Sequence, residues 1–502
     1  MAKNKYYVTT PIYYPSGKPH LGSAYTTIAA DILARWHKLL GDDVFFLTGT
    51  DEHTKKVVKE AEKSGKNIDT YLTDITKIFK EVFGELNIGY DRFIRTSDKD
   101  HKKFVQHILE VVNKKGDIYK GSYEGYYCHE CEAYYTEREA PGLVCSVHEK
   151  NLEVLKEESY FFKLSEYQDK LLDLYKKNPD FISPVYRKNE IVNRVKEGLK
   201  DLSISRTDID WGVRLPFDKA HTCYVWFDAL TNYLTGVGVL EDKKLFKKFW
   251  RANVHIVGKD ILWFHSVIWP AMLMSAGIEL PEKVYAHGWL TLKDKKIGKS
   301  AGNATDINEL IKRFGVDPIR YFLFKVTPFG EDGEYSEETL IDRNNELANK
   351  LGNLVSRVSS LAEKNGIEKT NNLLLKKLKL KQIGKLIDNF EFDKALNDIF
   401  AFIDVCNEYV QDKKPWETKV QEDSEESPDS SKLLEEKISQ NKKVLYELVD
   451  SIKAIAILLS PFIPGTSEKI SQSLGFKLDY KEIEKPIIVR KIKKGENLFN
   501  RV

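Results

Sequence analysis

The sequence is poor in cysteine and has no long apolar runs. Among its 502 residues there are five cysteines, and no apolar stretch approaches the roughly 20 residues that a membrane span needs. Its first residues, MAKNKYYVTTP, lack the apolar centre of a secretory signal. We therefore expect a cytoplasmic protein in a reducing compartment, with no disulfide framework and no membrane partner.

The chain also lacks a strong charge of either sign. Lys and Arg number 78 and Asp and Glu 76, which gives a net charge of +2. No overall basic field attracts nucleic acid, so any contact with RNA has to come from local patches. Charged residues make up 31% and hydrophobic residues 42%, which is typical of a globular protein. The length suggests roughly two to four domains.

The stretch from Lys5 to Ser23 predicts a strand, a stiff loop and the start of a helix. YYVTT is β-branched and aromatic, prolines and a glycine follow it, and AYTTIAADILARWHKLLG has the pattern of a helix beginning at Ala24. His20 and Ser23 therefore lie where a helix N-terminus favours phosphate. Gly22 has no Cβ, so a flat base would have room against the backbone. A loop histidine beside an ordinary helix start is the alternative.

A second candidate phosphate-binding segment is the sequence KDKKIGKSAGN, residues 293–303. It holds Lys296 and Lys299, three residues apart, in a glycine-bearing loop. A mobile loop of this kind can bring two cations onto a polyphosphate. A solvated surface loop is the alternative, since that is the usual role of a charge run.

Strands alternating with helices predict a parallel, doubly wound sheet. DVFFLT is a predicted strand that ends in GTDEH, with Asp51 just beyond it, and VHIVG is another that leads into Gly258 and Asp260. Ligands bind beyond the carboxyl ends of such strands. Helix caps and a turn are the alternatives at these positions.

Four residues have the spacing of a zinc site. Cys128-x-x-Cys131 and Cys145-x-x-His148 are two pairs in which a tight turn points both side chains inward. A redox Cys-x-x-Cys with an unrelated histidine is the alternative. The other two cysteines, at 223 and 406, are expected to be packed in apolar surroundings.

Two further segments define the predicted domain organisation. The apolar run HTCYVWFD, residues 221–228, predicts a return to the central sheet, which makes residues 115–222 an insertion. From about residue 344 onward apolar residues recur at helical spacing, which predicts a separate helix bundle.

The two phosphate-binding segments resemble the two signatures of class I aminoacyl-tRNA synthetases. HLGS is similar to His-x-Gly-His with serine in the last position, and KIGKS is similar to Lys-Met-Ser-Lys-Ser. The segments TTPIYYPSGKPHLGSAYTTIAAD, FFLTGTDEH, YVWFDALTNY and GKDILWFHSVIWPAML resemble the methionyl-tRNA synthetase family, in its bacterial type with one zinc knuckle.

This resemblance implies the following roles. The residues with a catalytic role are His20, Ser23, Lys296 and Lys299. The residues that bind ATP are His20, Gly22, Gly258, Asp260, Lys296 and Lys299. The methionine site comprises Ile12, Tyr14, Asp51, Trp226, Ala229, Leu230, Tyr233, His265 and Trp269. The anticodon is bound by Asn353, Arg357 and Trp416. One structural Zn²⁺ is held by Cys128, Cys131, Cys145 and His148.

By the spacing alone, the aromatic stripe from Trp226 to Trp269 predicts core packing rather than a pocket. Without the resemblance, Trp416 could equally anchor a helix end in the bundle or stack on an unpaired base. The resemblance favours the functional role in both cases. It also implies that homocysteine is rejected within the synthetic site.

The resemblance implies a complete fold and a reaction. The expected fold is a split Rossmann-like doubly wound parallel sheet (residues 1–114 and 223–290), with an inserted zinc-knuckle domain (115–222). The lysine loop and a stem-contact segment (291–343) and an all-α anticodon-binding domain (344–502) follow. The expected activity is methionine–tRNA ligation, with L-methionine, ATP accompanied by Mg²⁺, and tRNA(Met) as partners. A monomer is expected, because no appended tRNA-binding domain follows the bundle.

Two other classes of function remain open at this point. Serine and glycine replace signature residues at 23 and 298, which would suit a non-catalytic module that binds tRNA or protein. A sister ligase, such as the cysteine enzyme, would place zinc against the substrate thiol. The insertion is too short to add a large editing domain to the knuckle, which argues against the isoleucyl, valyl and leucyl relatives.

Replacing Lys299 by alanine is expected to slow adenylate formation by at least about 100-fold, because one preorganised cation at the phosphates would be lost. Methionine-dependent ATP–pyrophosphate exchange measures this rate. Turnover close to that of the unmodified chain would contradict the role of Lys299.

Overall fold

The chain folds into two compact units, which are Met1–Ala34 with Asp43–Thr305, and Arg35–Asp42 with Asp306–Val502. The computed structural model describes residues 3–131, 133–135, 140–292, 295–297, 306–417, 430–488 and 492–500. None of the helices in these ranges is long and apolar enough to cross a membrane.

The first unit contains a six-stranded central sheet, a smaller four-stranded antiparallel sheet and further short antiparallel strand pairs. In chain order the strands are β1 Lys5–Thr9, β2 Asp43–Thr50, β3 Arg92–Arg95, β4 Ile118–Cys128, β5 Ala133–Tyr135, β6 Glu153–Phe162, β7 Ile182–Ser183, β8 Leu202–Ser203, β9 Ser205–Arg206, β10 Thr222–Cys223, β11 Val254–Gly258, β12 Val284–His287, β13 Leu290–Leu292 and β14 Lys295–Lys296.

Helices connect and cover these strands. They are α1 Leu21–Leu40, whose last residues belong to the second unit, α2 Lys55–Lys63, α3 Ile68–Glu85, α4 Lys99–Lys114, α5 Gln168–Lys177, α6 Val185–Lys196, α7 Val225–Ala229, α8 Asn232–Thr235, α9 Lys243–Phe249 and α10 Trp269–Ala276. A π-helical turn, Phe264–Ile268, leads directly into α10.

The central sheet is parallel, with the strand order β3-β2-β1-β11-β12-β7. β1 lies in the middle: Tyr7 pairs with Phe45 of β2, and Val8 pairs with Val254 of β11. β11 is buried along its whole length, as expected for a parallel strand with both faces covered. The predicted doubly wound α/β fold is confirmed. Its strand order reverses between β1 and β11, which is where such sheets bind ligands.

The predicted insertion, residues 115–222, does not stand wholly apart from this sheet. β4, β5, β6 and β8 form a separate antiparallel sheet. However, Ile182 and Ser183 of β7 pair with β12 at the edge of the central sheet. The return to the sheet therefore occurs in the middle of the predicted insertion, through only two residues, too short a strand to be read from the sequence.

The predicted return to the central sheet at residues 221–228 is wrong. Thr222 and Cys223 pair with β9 in an antiparallel ribbon, and helix α7 begins at Val225. The run is apolar because it is packed in the core, and a short apolar run does not distinguish a buried strand from a buried helix.

The second unit is almost wholly helical, as predicted. Its elements are α11 Ile307–Phe314, α12 Val316–Lys325, β15 Gly333–Glu334, α13 Glu337–Glu346, a π-helical turn Leu347–Gly352, α14 Asn353–Asn365, α15 Leu380–Asp388, α16 Phe392–Lys413, α17 Ser430–Leu459 and α18 Pro464–Leu474.

Besides Arg35–Asp42, this unit contains the chain from residue 306 onward, which includes a segment that precedes residue 344. The reason is the burial of α12 against later helices. The Arg320 guanidinium, fully buried, donates to the carbonyl oxygens of Phe462 at 2.8 Å and Pro461 at 2.9 Å. Asp317 on the same helix accepts from the amide of Thr466. A helix held by buried polar bonds to this bundle is part of it.

Candidate active site

A cavity of about 990 Å³ lies in the first unit beyond the carboxyl ends of β1, β2, β11 and β12. This is the volume of a site for a small molecule or nucleotide. Most of the predicted site residues line it: Ile12, Tyr14, His20, Gly22, Ser23, Asp51, Trp226, Ala229, Leu230, Tyr233, Gly258, Asp260 and His265.

The N-terminus of α1 forms one wall of the cavity, with His20 just before it. The amide of Gly22 donates to His20 Nδ1 at 3.1 Å, which leaves the proton of a neutral ring on Nε2 as a donor. A Cβ at Gly22 would lie 3.0 Å from His20 Cε1. The imidazole therefore lies close against the backbone at Gly22, where a Cβ would be in tight contact with the ring.

Ser23 is engaged within the same turn. Its hydroxyl donates to the carbonyl oxygen of His20 at 2.7 Å and accepts from the His20 amide at 3.0 Å. α1 begins at Leu21, three residues earlier than predicted, and these bonds close its first turn. Ser23 can offer its proton to a phosphate only by giving up the bond to His20.

The second phosphate-binding segment is described in part. The backbone of Lys296 lies in β14, which pairs with β13 in an antiparallel hairpin, and Ile297 lines the cavity. The side chain of Lys296 and all of Lys299 lie outside the described residues.

Two strand ends also bring carboxylates to the cavity. Asp51 follows β2 and is buried, with its amide donating to the carbonyl of Tyr13 at 2.9 Å. Asp260 lies in the 3₁₀ turn after β11. Both positions fit carboxylates that hold polar groups of a ligand at the sheet's switch point.

The apolar end of the cavity is built from α7, α8 and the π-helical turn. Trp226 stacks on Phe264, with ring centroids 3.8 Å apart and planes at 6°. Phe264 was missed by sequence reasoning, although it lies directly beside His265 in the sequence. Asn232, also missed, lines the cavity with its side-chain amide bonded to the carbonyl of Ala229 at 2.7 Å.

Tyr233 and His265 form a buried pair with defined proton positions. His265 Nδ1 lies 3.0 Å from the carbonyl oxygen of Ile261 and must donate to it, so Nε2 accepts from the Tyr233 hydroxyl at 2.6 Å. Burial lowers the pKa of His265 to about 4 and raises the pKa of Tyr233. This end of the cavity is therefore uncharged at neutral pH.

Trp269 does not line the cavity. It is fully buried, packs behind Tyr233 with ring centroids 6.0 Å apart, and donates to His255 Nε2 at 3.3 Å. The prediction placed it beside His265 on one face of a regular helix. The intervening π-helical turn has more residues per turn, so a residue four positions later points away from the cavity.

A buried aspartate connects the elements that carry these walls. Asp228 on α7 accepts from His53 Nδ1 and His101 Nε2, each at 2.7 Å. Burial would raise the pKa of Asp228, but the two imidazoles lower it below its usual range. The three residues join α7 to the end of β2 and to α4. The sequence did not predict this cluster, because the three residues lie far apart in the chain.

The four predicted metal ligands lie together. Cys128, Cys131, Cys145 and His148 have ligand atoms within 4.8 Å of one another. Cys131 Sγ lies 3.5 Å from Cys145 Sγ and 3.2 Å from His148 Nδ1. Tetrahedral zinc with Zn–S bonds of about 2.3 Å separates sulfurs by roughly 3.8 Å, so the residues fit zinc.

The charges of the cluster also favour a cation. Hydrogen bonds from Cys131 and His148 lower the pKa of the Cys128 thiol, and the hydrogen bond with Cys128 raises the pKa of Cys131. Like charges this close cannot all form without a counter-ion. A divalent cation would allow all the sulfurs to ionise.

The turn between the first two cysteines also contacts the cavity. Glu130 lines it and pairs with Lys56 of α2 at 2.7 Å and with Lys150 at 2.6 Å. Burial raises the pKa of Glu130, but the ion pairs with Lys150 and Lys56 bring it down to about 2. The metal cluster is thus tied to the helix that follows β2.

The predicted anticodon residues lie in the second unit. Arg357, on α14, places its guanidinium carbon 4.1 Å from the ring centroid of Trp416. Trp416 is 36% exposed, and Asn353 is an exposed residue at the start of the same helix. The structure therefore brings the predicted arginine and tryptophan into contact.

Comparison with known families places the chain in a class that fits this fold and cavity. The family described as "tRNA synthetases class I (M)" matches residues 6–148 and 140–359. The family described as "Anticodon-binding domain of tRNA ligase" matches residues 374–498. The cavity and the helical unit therefore belong to a class I tRNA synthetase.

Comparison with individual relatives shows which family within this class the chain belongs to. A methionine–tRNA ligase of Caldanaerobacter subterraneus is 43% identical over 100% of this chain and 79% of its own length. One from Rickettsia conorii is 43% identical over 94% of this chain and 93% of its own length. The solved Mycobacterium tuberculosis methionyl-tRNA synthetase in complex with methionyl-adenylate has a TM-score of 0.92 at 38% identity, covering 99% of this chain and 100% of that one. The chain belongs to the methionine–tRNA ligase family.

Replacing Cys145 by serine is expected to remove bound zinc, because a tetrahedral site loses affinity with one thiolate fewer. Metal analysis by plasma mass spectrometry should give about one zinc per unmodified chain and little in the variant. Cys406→Ala, a buried cysteine outside the cluster, is the control and should retain its zinc. Equal zinc in all three proteins would contradict the assignment.

Proposed function

We propose that the chain ligates methionine to tRNA(Met), through methionyl-adenylate. The observation that carries this proposal is the cavity itself, which joins a helix N-terminus suited to phosphate with an uncharged aromatic pocket. Membership in the methionine–tRNA ligase family supports the choice of amino acid.

In the first step, a carboxylate oxygen of methionine attacks the α-phosphorus of ATP. A new P–O bond forms, the bond to the β-phosphate breaks, and pyrophosphate leaves with its electron pair. Such a transfer needs positioning and charge stabilisation more than covalent help from the protein. Asp51 would hold the ammonium group of methionine with its buried carboxylate, because it lines the cavity just after β2.

The phosphates would lie at the start of α1. The positive end of the α1 dipole and the Nε2–H of His20 would stabilise the negative charge that develops there. Lys296 and Lys299 are proposed to clamp the phosphates from the loop after β13. The Mg²⁺ that accompanies ATP would supply further charge neutralisation.

The thioether of methionine would occupy the aromatic end. Its walls are Ile12, Tyr14, Trp226, Ala229, Leu230, Tyr233 and His265. A polarizable sulfur packs well against aromatic rings. Both ring nitrogens of His265 are already bonded, so His265 has no proton to offer the sulfur, and the Tyr14 hydroxyl is the better polar contact of the two that were predicted.

In the second step, a hydroxyl of the terminal adenosine of tRNA attacks the carbonyl carbon of the adenylate, and AMP leaves. Asn353, Arg357 and Trp416 are proposed to bind the anticodon.

The zinc at the knuckle is proposed to be structural, because four protein ligands leave no open position for chemistry. The unpaired cysteines suit a reducing cytoplasm, where we place the protein.

Amino-acid-dependent ATP–pyrophosphate exchange, measured with each of the twenty amino acids and without tRNA, tests this function. Exchange is expected with methionine, because the uncharged aromatic pocket excludes polar and charged side chains at their desolvation cost. Exchange with another amino acid would identify a sister ligase. No exchange by folded, zinc-loaded protein would indicate a non-catalytic binding module.

Replacing Trp416 by alanine is expected to raise the KM for tRNA roughly tenfold, because stacking on one unpaired base would be lost. Methionine-dependent exchange should be unchanged, since it needs no tRNA. Ile488→Ala removes another exposed apolar side chain, 83% exposed, from the same unit and serves as the control. A tRNA KM that is unaltered in W416A, or altered equally in both variants, would contradict anticodon stacking.

A further inference from the structure

Trp289 lies at the nucleotide end of the cavity and has no role in the function described above. It follows β12 and lines the cavity beside Asp260. Its indole Nε1–H donates to Asp260 Oδ1 at 3.1 Å. This bond joins the segments that follow two neighbouring strands of the central sheet, because Asp260 follows β11 and Trp289 follows β12.

Two further contacts define the position of this carboxylate and this ring. A Cβ at Gly258 would lie 2.6 Å from Asp260 Oδ1, so the carboxylate oxygen sits over the glycine backbone. Lys259 places its Nζ 4.1 Å from the centroid of the Trp289 ring. A cation at this distance is attracted to the face of an indole, which holds the ring in its orientation.

We infer that Trp289 is a positioning residue that orients the Asp260 carboxylate toward the ribose hydroxyls of ATP. This inference rests on the proposed function, in which Asp260 accepts from the ribose. The indole donor uses one oxygen and fixes the plane of the carboxylate. An ionised carboxylate has about four acceptor sites, so a bond from the indole is compatible with a bond from a ribose hydroxyl.

The alternative is that the indole touches the nucleotide directly and merely happens to bond Asp260. The two roles differ in which nucleotides they affect. A ring that packs on the nucleotide strengthens the binding of ATP and of deoxy analogues alike. A ring that orients Asp260 matters only when the hydroxyl that Asp260 accepts from is present.

The test is calorimetric binding of ATP, 2′-deoxy-ATP and 3′-deoxy-ATP to the full chain. Trp289→Phe keeps an aromatic ring under Lys259 but removes the N–H donor. It is expected to weaken ATP binding roughly tenfold, since the oriented bond to a charged group is lost. The loss should fall below about twofold for the deoxy analogue that lacks the hydroxyl bound by Asp260.

The matched control is Trp263→Phe, at a tryptophan that stacks on Arg194 at 3.8 Å and does not line the cavity. Its ATP affinity should equal that of the unmodified chain. In an Asp260→Ala background, Trp289→Phe should have no further effect, because the residue that it positions is absent. Circular dichroism checks that each variant is folded.

ATP affinity unchanged in W289F would overturn the inference, as would an equal loss for ATP and both deoxy analogues. An additional loss in the Asp260→Ala background would overturn it too. These outcomes differ from failure of the proposed function, which is the absence of methionine-dependent exchange in a chain that binds ATP. The binding comparison remains decisive in either case.

Discussion

The position of β1 between two parallel partners is the constraint on which the site depends. β1 pairs with β2 on one side and with β11 on the other, so three strands end at the same edge of the sheet. The chain leaves these ends in different directions, and the space between them becomes the cavity. Residues as distant in sequence as His20, Asp51 and Asp260 therefore line one volume.

Buried polar bonds then fix the walls around this volume. Asp228 joins α7 to the end of β2 and to α4, and Tyr233 is held by His265. Asp228, Tyr233 and His265 each have a hydrogen-bond partner inside the protein, so these polar groups are satisfied without a ligand. Such a pocket accepts a thioether and disfavours charged side chains. The knuckle contributes through Glu130, which ties the metal cluster to α2.

Much of this could be predicted from the sequence, because its signals are local. Strand-then-helix alternation gave the doubly wound sheet, and the spacing of Cys128 and Cys131 gave the metal cluster. What failed depended on distant packing. The two-residue strand β7 is recognisable only by its partner β12, and Trp269 lies behind Tyr233 because of a π-helical turn that periodicity does not reveal. Asp228 and Trp289 gave no signal because their partners lie on other strands and helices.

The most direct measurement is a crystal structure of the chain with a non-hydrolysable methionyl-adenylate analogue. The account predicts the thioether against Trp226 and Tyr233, the phosphate at the N-terminus of α1, and the ribose hydroxyls within hydrogen-bond distance of Asp260. An analogue bound outside the cavity beyond β1 and β11, or bound in it with its ends reversed, would contradict the account.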